Sequence, residues 1–495
     1  MKAILLGVDV GYTGCKAVAF DETGAILASA YREYPLLHPA PGIAELDPKG
    51  VWNDISSSIK EVTSNLPGEV AALSVSAMGE AFTPVDRNWA PLSNSLTTFD
   101  SRGESEIKDL VERVGEKQIF QLTGQTPNFS HPLPKICWLK KHCPDVFSKT
   151  AKFLCYGELV QSRLGVEPTI DHSMAARSMA FDIHTKSWSE TMLEAAGIDA
   201  DLLPSVAPAG TVIGHPAPDV AAGLGLSNST LVVVGGHDQP CGAVGSSVTR
   251  EGQATYALGT VHVVCAVLDS FKPALGEAGF SCYPHVVPGR FVTMAYNFTG
   301  GCLLKWFRDT FGQMELAESS STGQSVYDLL LNDLPGDPTS LFFMPHFSGT
   351  GTPWFDTAVK GSLLGLDLST KRAEIVKAII EGTTYELGMN IRLLERGGAH
   401  IRELHAIGGG AKSLTDLQVR ANIVNRPLMA MQTSEAPALG AAILAGVGAG
   451  IYESAEVSKE LVKVRDSAVP NNPVAEQYQE RLDAYESIYP HVRAL

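Results

Sequence analysis

The chain has 495 residues, of which 44% are hydrophobic and 19% are charged, and its formal net charge at pH 7 is −16. This length predicts two domains, residues 1–245 and residues 246–495. The acidic balance argues against a nucleic-acid-binding protein, and no stretch is apolar enough to span a membrane. The N-terminal apolar run is too short for a signal peptide, and eight scattered cysteines form no C-x-x-C pair. We therefore expect a cytoplasmic protein with reduced thiols.

The first residues predict three strands joined by glycine turns, at residues 4–10, 15–21 and 25–31. The first turn and its borders carry Asp9, Gly11, Thr13 and Lys16. Backbone N–H groups, a hydroxyl and a cation in such a turn can bind phosphate oxygens, and the carboxylate of Asp9 can hold a magnesium ion. An ordinary hairpin with a glycine turn explains the same pattern equally well.

A second polar group follows the next buried strand, predicted at residues 70–76 after a helix that begins at Asp47-Pro48. Met78 and Glu80 lie at the end of this strand, and Asp100 and Arg102 follow in the next loop. Charged side chains presented from consecutive loops can form a pocket for a hydroxylated ligand. Taken singly, each charge is explained as an exposed surface group.

The segments between these loops and the centre of the chain predict mainly packing elements. Residues 130–142 have an apolar helical face that begins after Pro134, and Lys135 is its one unusual feature. Residues 182–203 have helical character. The segment 130–142 is interpreted as a packing helix.

The centre of the chain presents a carboxylate at the end of a buried strand. Residues 231–234 are short, β-branched and apolar, and two glycines end the run. Asp238, followed by Gln239, then stands where a side chain projects into a cleft. We predict that Asp238 carries the chemistry. The alternative is that it caps a helix beginning near Pro240.

After residue 245 the strand, glycine turn, strand pattern returns. Residues 254–258 and 261–269 flank the turn Gly259-Thr260, which aligns loosely with the first turn and indicates an internal duplication. Two related halves that each open on a phosphate-sized turn predict a nucleotide held between two domains.

The last third of the chain has the clearest helical periodicity. Helices are predicted at 373–396 with Ser369-Thr370 as caps, at 414–423, at 437–450 and, exposed, at 472–495. A strand at 401–407 leads into three glycines, Gly408, Gly409 and Gly410. Glycines between a strand and a helix N-terminus suit a flat or anionic ligand that approaches the backbone.

The chain resembles the FGGY carbohydrate kinases, part of the actin, hexokinase and heat-shock ATPase superfamily. Residues 130–142 resemble the first consensus segment of that family, through Pro132, Lys135, Trp138, Leu139 and His142. Residues 361–382 resemble the second, through Gly365, Leu366, Glu374, Ala378 and Glu381. The resemblance implies an α/β fold of two ribonuclease H-like, actin-like ATPase domains with a catalytic cleft between them.

The resemblance also implies roles for individual residues, with ATP and Mg²⁺ as cofactors. Asp238 corresponds to the catalytic base and Asp9 lies near the metal. The implied ATP-binding residues are Gly11, Thr13, Lys16, Gly259, Thr260, Gly408, Gly409, Gly410 and Asn422. The implied substrate-binding residues are Met78, Glu80, Asp100, Arg102 and Gln239. Homodimers are frequent in the family.

The identity of the sugar stays open at the level of sequence. Xylulose kinases have Met-His-Gly where this chain has Met78-Gly79-Glu80, and Glu80 and the Asp238-Gln239 pair resemble glycerol kinases. Asp100-Ser101-Arg102 resembles a ketose pocket. A ketopentose such as xylulose ranks first, and glycerol, erythritol or gluconate are the alternatives. A sensor that binds a sugar without catalysis is the rival from another functional class.

Overall fold

The computed structural model describes residues 3–356 and 358–492. The strands of the first half are β1 (Ile4–Val10), β2 (Gly14–Asp21), β3 (Ile26–Glu33), β4 (Glu45–Leu46), β5 (Val70–Ala77), β6 (Phe82–Val85), β7 (Ser95–Leu96), β8 (Lys152–Cys155), β9 (Thr169–Ile170), β10 (Phe181–Asp182), β11 (Ser187–Trp188), β12 (Ser205–Val206), β13 (Val212–Gly214) and β14 (Leu231–His237). Its helices are α1 (Pro48–Thr63), α2 (Glu104–Val114), α3 (Glu116–Thr123), α4 (Pro132–His142), α5 (Pro144–Lys149), α6 (Tyr156–Leu164), α7 (His172–Arg177), α8 (Glu190–Ala196), α9 (Pro218–Leu224) and α10 (Asp238–Gly245), with a 3-10 turn at Ala200–Leu202.

The second half has nine strands among its described residues. They are β15 (Gly252–Leu258), β16 (His262–Leu268), β17 (Tyr283–Pro284), β18 (Phe291–Asn297), β19 (Phe342–Met344), β20 (Ser362–Leu364), β21 (Ile401–Ile407), β22 (Leu428–Met431) and β23 (Val464–Ala468). Its helices are α11 (Pro273–Glu277), α12 (Gly301–Phe311), α13 (Gln313–Thr322), α14 (Val326–Leu331), α15 (Arg372–Arg396), α16 (Leu414–Val424), α17 (Ala436–Gly448), α18 (Ser458–Leu461) and α19 (Asn472–Val492), with 3-10 turns at Gly409–Lys412 and Ala455–Val457.

The two main sheets repeat one topology. The first has the order β13-β14-β5-β1-β2-β3, and the second has the order β17-β18-β16-β15-β21-β22-β23. In each, a central strand pairs antiparallel with the strand that follows it and parallel with a later strand, β1 with β2 and β5, and β15 with β16 and β21. The internal duplication predicted from the glycine turns is thus confirmed, as is an α/β fold with two related sheets.

Helix α17 from the second half packs against α10 and against the first sheet. Its small residues make this approach possible: a Cβ on Gly440 would lie 1.9 Å from the carbonyl oxygen of Cys241, and one on Gly245 would lie 1.8 Å from that of Ala436. The predicted small-residue helix is confirmed, and its contact surface crosses the midpoint of the chain. The division at residue 245 stays a prediction.

Several predicted helix details are wrong. The helical character predicted for residues 182–203 is confirmed for α8 and the 3-10 turn but is wrong for the start of the segment, where Asp182 bonds to the backbone of His184 and Thr185 and closes the β10–β11 hairpin. Helix α15 is capped by the side chain of Glu374 bonding back to the Lys371 N–H, and Ser369 and Thr370 bond to Asp367 instead.

The terminal helix α19 is amphipathic, whereas the sequence predicted an exposed helix. It buries one face through Ala475, Tyr478, Leu482, Tyr485, Tyr489 and Val492. This spacing is that of a helix face packed on a core. The last three residues of the predicted tail, 493–495, lie outside the described residues.

All eight cysteines lie in described regions and are free. Between residues 3 and 492, Thr357 left aside, no helix is long and apolar enough to cross a membrane.

Candidate active site

Three parallel strands of the first sheet end side by side. The register places Val10 of β1 opposite Ala77 of β5, and Ala77 opposite His237 of β14. Three of the predicted site residues therefore lie together at this edge: Gly11, Met78 and Asp238. The carboxyl edge of a parallel sheet is where open α/β folds place their ligands.

Asp238 is the first residue of α10, and its side chain is 25% exposed. The sequence predicted a helix that begins near Pro240, and the helix begins two residues earlier. Among the described residues, no side chain forms a capping hydrogen bond at its N-terminus. The capping alternative is therefore not what the structure shows. Gln239 follows in the same turn and is partly exposed.

The carboxylate of Asp9 lies near that of Asp238. Burial, and then the negative charge of Asp238, raise the pKa of Asp9 to about 7, while a hydrogen bond from Ser76 Oγ at 3.0 Å opposes the rise. Two neighbouring carboxylates in a partly buried cleft suit a hard divalent cation bound together with phosphate oxygens. Over residues 3–356 and 358–492, no three His, Cys, Asp or Glu side chains form a complete protein metal cage.

The first predicted phosphate turn forms between β1 and β2. Gly11 N donates to Gly14 O at 2.9 Å, and Thr13 is exposed. Lys16 follows on β2, where its ammonium pairs with Glu435 Oε2 at 2.6 Å. The turn is open to a ligand, but the cation beside it already has a carboxylate partner from the second half.

The second predicted phosphate turn joins β15 to β16, and its Gly259 and Thr260 are both exposed. Gly301 N donates to Gly259 O, and Gly300 N donates to Thr260 O, each at 2.9 Å. These bonds dock the N-terminus of α12 onto the turn. The N–H groups of Gly300 and Gly301 are therefore taken by carbonyl oxygens of the turn, and Leu303 N donates to Gly300 O, so the start of α12 supports the turn.

The three glycines after β21 lie beside this second turn. Ala257 of β15 pairs with Ile407 of β21, which places the glycines next to the turn. Gly408 has a φ of 89°, and a Cβ on this residue would lie only 3.0 Å from Leu258 O. Gly408 and Gly409 are exposed, while Gly410 is half-buried. A glycine is required at 408 because the backbone is left-handed there and close to a neighbouring strand.

Asn422 is placed differently from the glycines. It is buried in α16, and its Oδ1 accepts from Gln418 Nε2 at 3.1 Å and from Asn471 N at 2.8 Å. The first bond lies within α16, and the second joins α16 to the start of α19. The amide oxygen of Asn422 thus has structural partners.

Glu80 is buried and pairs with Arg177. Its Oε1 accepts from Arg177 Nη2 and its Oε2 accepts from Thr98 Oγ1. Arg177 Nη1 in turn donates to Gln125 Oε1 at 2.7 Å, and the guanidinium lies 5.3 Å from the ring centroid of Tyr283. Glu80 is therefore part of a buried polar network and is not an exposed surface charge.

Asp100 and Arg102 pair with each other. Arg102 Nε lies 2.9 Å from Oδ1 and Nη2 lies 2.8 Å from Oδ2 of Asp100, which is fully buried and also accepts from Ala44 N at 3.1 Å. Arg102 also donates to Glu45 Oε1 at 2.6 Å and stacks on Trp138 with 5.0 Å to the ring centroid. The structure brings the two residues together as an internal pair that fixes their loop.

Lys135, the unusual residue of α4, supports the same loop. It is fully buried, and its ammonium donates to Ser130 O at 2.6 Å and to Thr97 O. Burial lowers the pKa of Lys135 to about 7. Lys135 thus anchors the backbone just before Thr98, which contacts Glu80.

Sequence reasoning missed several residues of the site: Tyr12, Arg177, His237, Gly300, Gly301 and Glu435. The glycine pair before the apolar stretch of α12 was a readable signal, and so was the imidazole adjacent to Asp238. No sequence signal indicated Arg177 or Glu435, since their partners Glu80 and Lys16 are 97 and 419 residues away in the chain.

Comparison with known proteins agrees with this architecture. Residues 4–245 match the model of the FGGY family of carbohydrate kinases, N-terminal domain, and residues 255–449 match that of the C-terminal domain. A xylulose kinase of Bacillus subtilis is 29% identical, over 99% of this chain and 97% of its own length.

Two solved structures have the same fold over almost their whole length. A gluconate kinase from Lactobacillus acidophilus superimposes with a TM-score of 0.90 at 26% identity, covering 100% of this chain and 99% of its own. A ligand-bound xylulose kinase from the same organism gives 0.90 and 26%, covering 99% of each chain. The two family models together cover most of the chain, and the two-domain actin-like ATPase fold is confirmed. The chain therefore belongs to the FGGY family of carbohydrate kinases and is an ATP-dependent phosphotransferase.

Proposed function

We propose that this kinase phosphorylates a hydroxyl of a ketopentose such as xylulose, with Asp238 as the general base. The observation that carries the proposal is the position of Asp238, partly exposed at the carboxyl edge of the first sheet and adjacent to Asp9 and the first phosphate turn. The likeness to xylulose kinases over nearly the whole chain supports the choice of sugar.

In the proposed reaction, the Asp238 carboxylate accepts the proton of the sugar hydroxyl as that oxygen attacks the γ-phosphorus of ATP. A new phosphorus–oxygen bond forms to the sugar, the bond to the bridging oxygen of the β-phosphate breaks, and ADP leaves. Backbone N–H groups of the two glycine turns hold the phosphate oxygens, apart from Gly11 N, which already donates to Gly14 O. Lys16 adds a positive charge there.

Mg²⁺ fits the donors on the first sheet. Asp9, with its raised pKa and its neighbouring carboxylate, would hold the ion, which would neutralise charge on the transferring phosphate. Magnesium is commonly bound through one or two carboxylates and substrate phosphates, so no larger set of protein ligands is required.

On the sugar side, we propose that Met78, Glu80, Gln239 and the loop held by Asp100 and Arg102 form the pocket. The exposed ring of Phe99 lies 5.0 Å from that of Tyr12 and offers an apolar surface near Thr98. We place the adenosine on the second half, at Gly408, Gly409 and Gly410, with Asn422 supporting the segment from behind. The domain division at residue 245 follows these two roles.

Gluconate is the second candidate substrate, because a gluconate kinase matches the fold and the chain as well as a xylulose kinase does. The test is ADP production by the purified protein with ketopentoses, polyols and aldonates supplied singly. We expect xylulose to give the highest kcat/KM. A higher value for gluconate would assign the aldonate, and ADP release that no sugar stimulates would contradict the proposed activity. A homodimer and a cytoplasmic location stay predictions.

A further inference from the structure

His237, the residue before the proposed base, lies between the two halves of the protein. Its side chain is only 5% exposed, and its backbone N–H donates to Ser173 Oγ at 3.1 Å. A Cβ on Gly79 would lie 2.7 Å from Nε2 of the imidazole. The ring therefore fills the space beside Gly79 at the end of β5 and has little freedom to turn.

Both ring nitrogens of His237 have partners. Nε2 lies 3.1 Å from Asp238 Oδ1, and Nδ1 lies 3.0 Å from the hydroxyl oxygen of Tyr283. An ionised carboxylate repels the lone pair of an unprotonated ring nitrogen, so the proton is favoured on the nitrogen that faces Asp238. In the neutral imidazole, Nδ1 is then the acceptor, and the Tyr283 hydroxyl donates to it.

The sulfur of Met294 also lies 3.2 Å from the Tyr283 hydroxyl. A hydroxyl has one proton to donate, and a thioether is a weak acceptor compared with an imidazole nitrogen. The preferred arrangement is thus one in which the Tyr283 hydroxyl donates to Nδ1 of His237, while the protonated Nε2 lies in close polar contact with the carboxylate of Asp238. Tyr283 belongs to β17 of the second sheet, whereas His237 and Asp238 belong to the first half.

We propose that His237 is a positioning residue that fixes the carboxylate of Asp238 through Oδ1 and leaves Oδ2 free for the proton of the sugar hydroxyl. The inference rests on the proposed role of Asp238 as general base. Because Tyr283 orients the imidazole from the second sheet, the direction of the base depends on how the two halves are docked. The effect is on the chemical step, since the imidazole holds the base while the pocket residues hold the sugar.

The first test compares three variants by steady-state kinetics. His237→Leu removes the donor at similar volume, His237→Gln offers an amide N–H near the position of Nε2, and Tyr283→Phe removes only the hydroxyl. We expect His237→Leu to lower kcat about 10- to 100-fold, with KM for sugar and ATP little changed, because a small misplacement of a catalytic group has costs of this order. His237→Gln should recover most of the loss, and Tyr283→Phe should lose less than His237→Leu.

Tyr385→Phe, at a buried tyrosine of α15 in the second half, is the matched control for loss of a hydroxyl and should retain the wild-type kcat. Melting temperatures establish that each variant is folded. A kcat of His237→Leu equal to the wild-type value, or a loss confined to KM, would overturn the inference.

The second test reads the imidazole without any sugar. Nitrogen chemical shifts of ¹⁵N-histidine-labelled protein, assigned with the spectrum of His237→Gln, should show His237 protonated at Nε2 and accepting at Nδ1. Protonation at Nδ1 would contradict the positioning role alone. Failure of the wild-type protein to phosphorylate any sugar would instead contradict the proposed function, so the two failures are distinguishable.

Discussion

Lys16 on β2 and Glu435, which directly precedes α17, form an ion pair of 2.6 Å across 419 positions of the chain. The pair lies beside the first phosphate turn, and both residues act on the charge of Asp9, Lys16 lowering its pKa and Glu435 raising it. The cation proposed to contact ATP is thus held by a carboxylate from the other half. A nucleotide that binds there competes with Glu435 for Lys16.

This competition predicts opposite effects of the two partners on ATP affinity. Lys16→Met should raise KM for ATP by about tenfold, because a charged hydrogen bond to phosphate is lost. Glu435→Gln should lower KM for ATP by about two- to fivefold, the size expected for a partly exposed pair. Steady-state kinetics at low and high salt measure both, and the effects should shrink as salt increases.

Lys459→Met is the matched control for those kinetics, because Lys459 pairs with Glu456 at an exposed site. Its KM for ATP should equal that of the wild-type protein. If Glu435→Gln raised KM for ATP, the carboxylate would be assisting nucleotide binding and the competition would be disproved.

The buried pair of Glu80 and Arg177 predicts a strong effect on stability. Arg177→Met should destabilise the protein by about 3–5 kcal/mol, because the carboxylate of Glu80 then stays buried without its partner. Adding Glu80→Gln to Arg177→Met should restore part of the loss. Urea denaturation of both single variants and the double variant gives the coupling energy, and strictly additive losses would show that the pair does not interact.

The buried carboxyl of Glu158 predicts a dependence of stability on pH. Burial, and then the neighbouring Asp171, raise the pKa of Glu158 from 4.5 to about 8. Between these values the native state holds a proton that the unfolded chain has released, so the free energy of unfolding falls as pH rises from about 4.5 to about 8. The decline should be on the order of a few kcal/mol.

Glu158→Gln cannot release this proton, so it should flatten the decline. Urea midpoints at pH 5.5 and pH 8.5 measure the effect, and Glu190→Gln, at an exposed position in the first turn of α8, is the control that should follow the wild-type protein. An equal loss of stability in the wild-type and Glu158→Gln proteins would show that Glu158 is already ionised in the native state.

The contact between α10 and α17 predicts which glycines tolerate a methyl group. Gly440→Ala should destabilise the protein by about 1–3 kcal/mol or more, because its Cβ would meet the backbone of Cys241. Gly223→Ala in α9 meets nothing within 4 Å and should stabilise by about 0.5–1 kcal/mol. Thermal melts of the two variants compare them directly, and an unchanged melting temperature for Gly440→Ala would mean that the two helices can separate without cost.

The elements that the sequence predicted well are those with a local signal. The apolar runs of β1, β5 and β14 and the glycines after them indicated where strands end, and parallel pairing then brought Gly11, Met78 and Asp238 together. The repeated glycine turns indicated the duplication in the same way. Local signals were sufficient because each depends on residues only a few positions apart.

The parts that could not be predicted depend on contacts between distant segments. Nothing near Glu80 indicates that Arg177 binds it, and nothing near Asp100 indicates that Arg102 turns back on it rather than facing a ligand. The helical character assigned to residues 182–203 was wrong before α8, because the bonds of Asp182 to nearby backbone form a turn that periodicity does not register. What the sequence did not show is which distant side chains pair with each other and where a side chain bonds to nearby backbone to form a turn.

The most direct test of the central claim is the turnover of Asp238→Ala with the preferred sugar at saturating ATP. The variant should lose about 10²–10⁴-fold in kcat, the usual cost of removing a general base, while ATP still raises its melting temperature as it does for the wild-type protein. A variant that binds ATP and retains near wild-type kcat would contradict the assignment of Asp238 as the base.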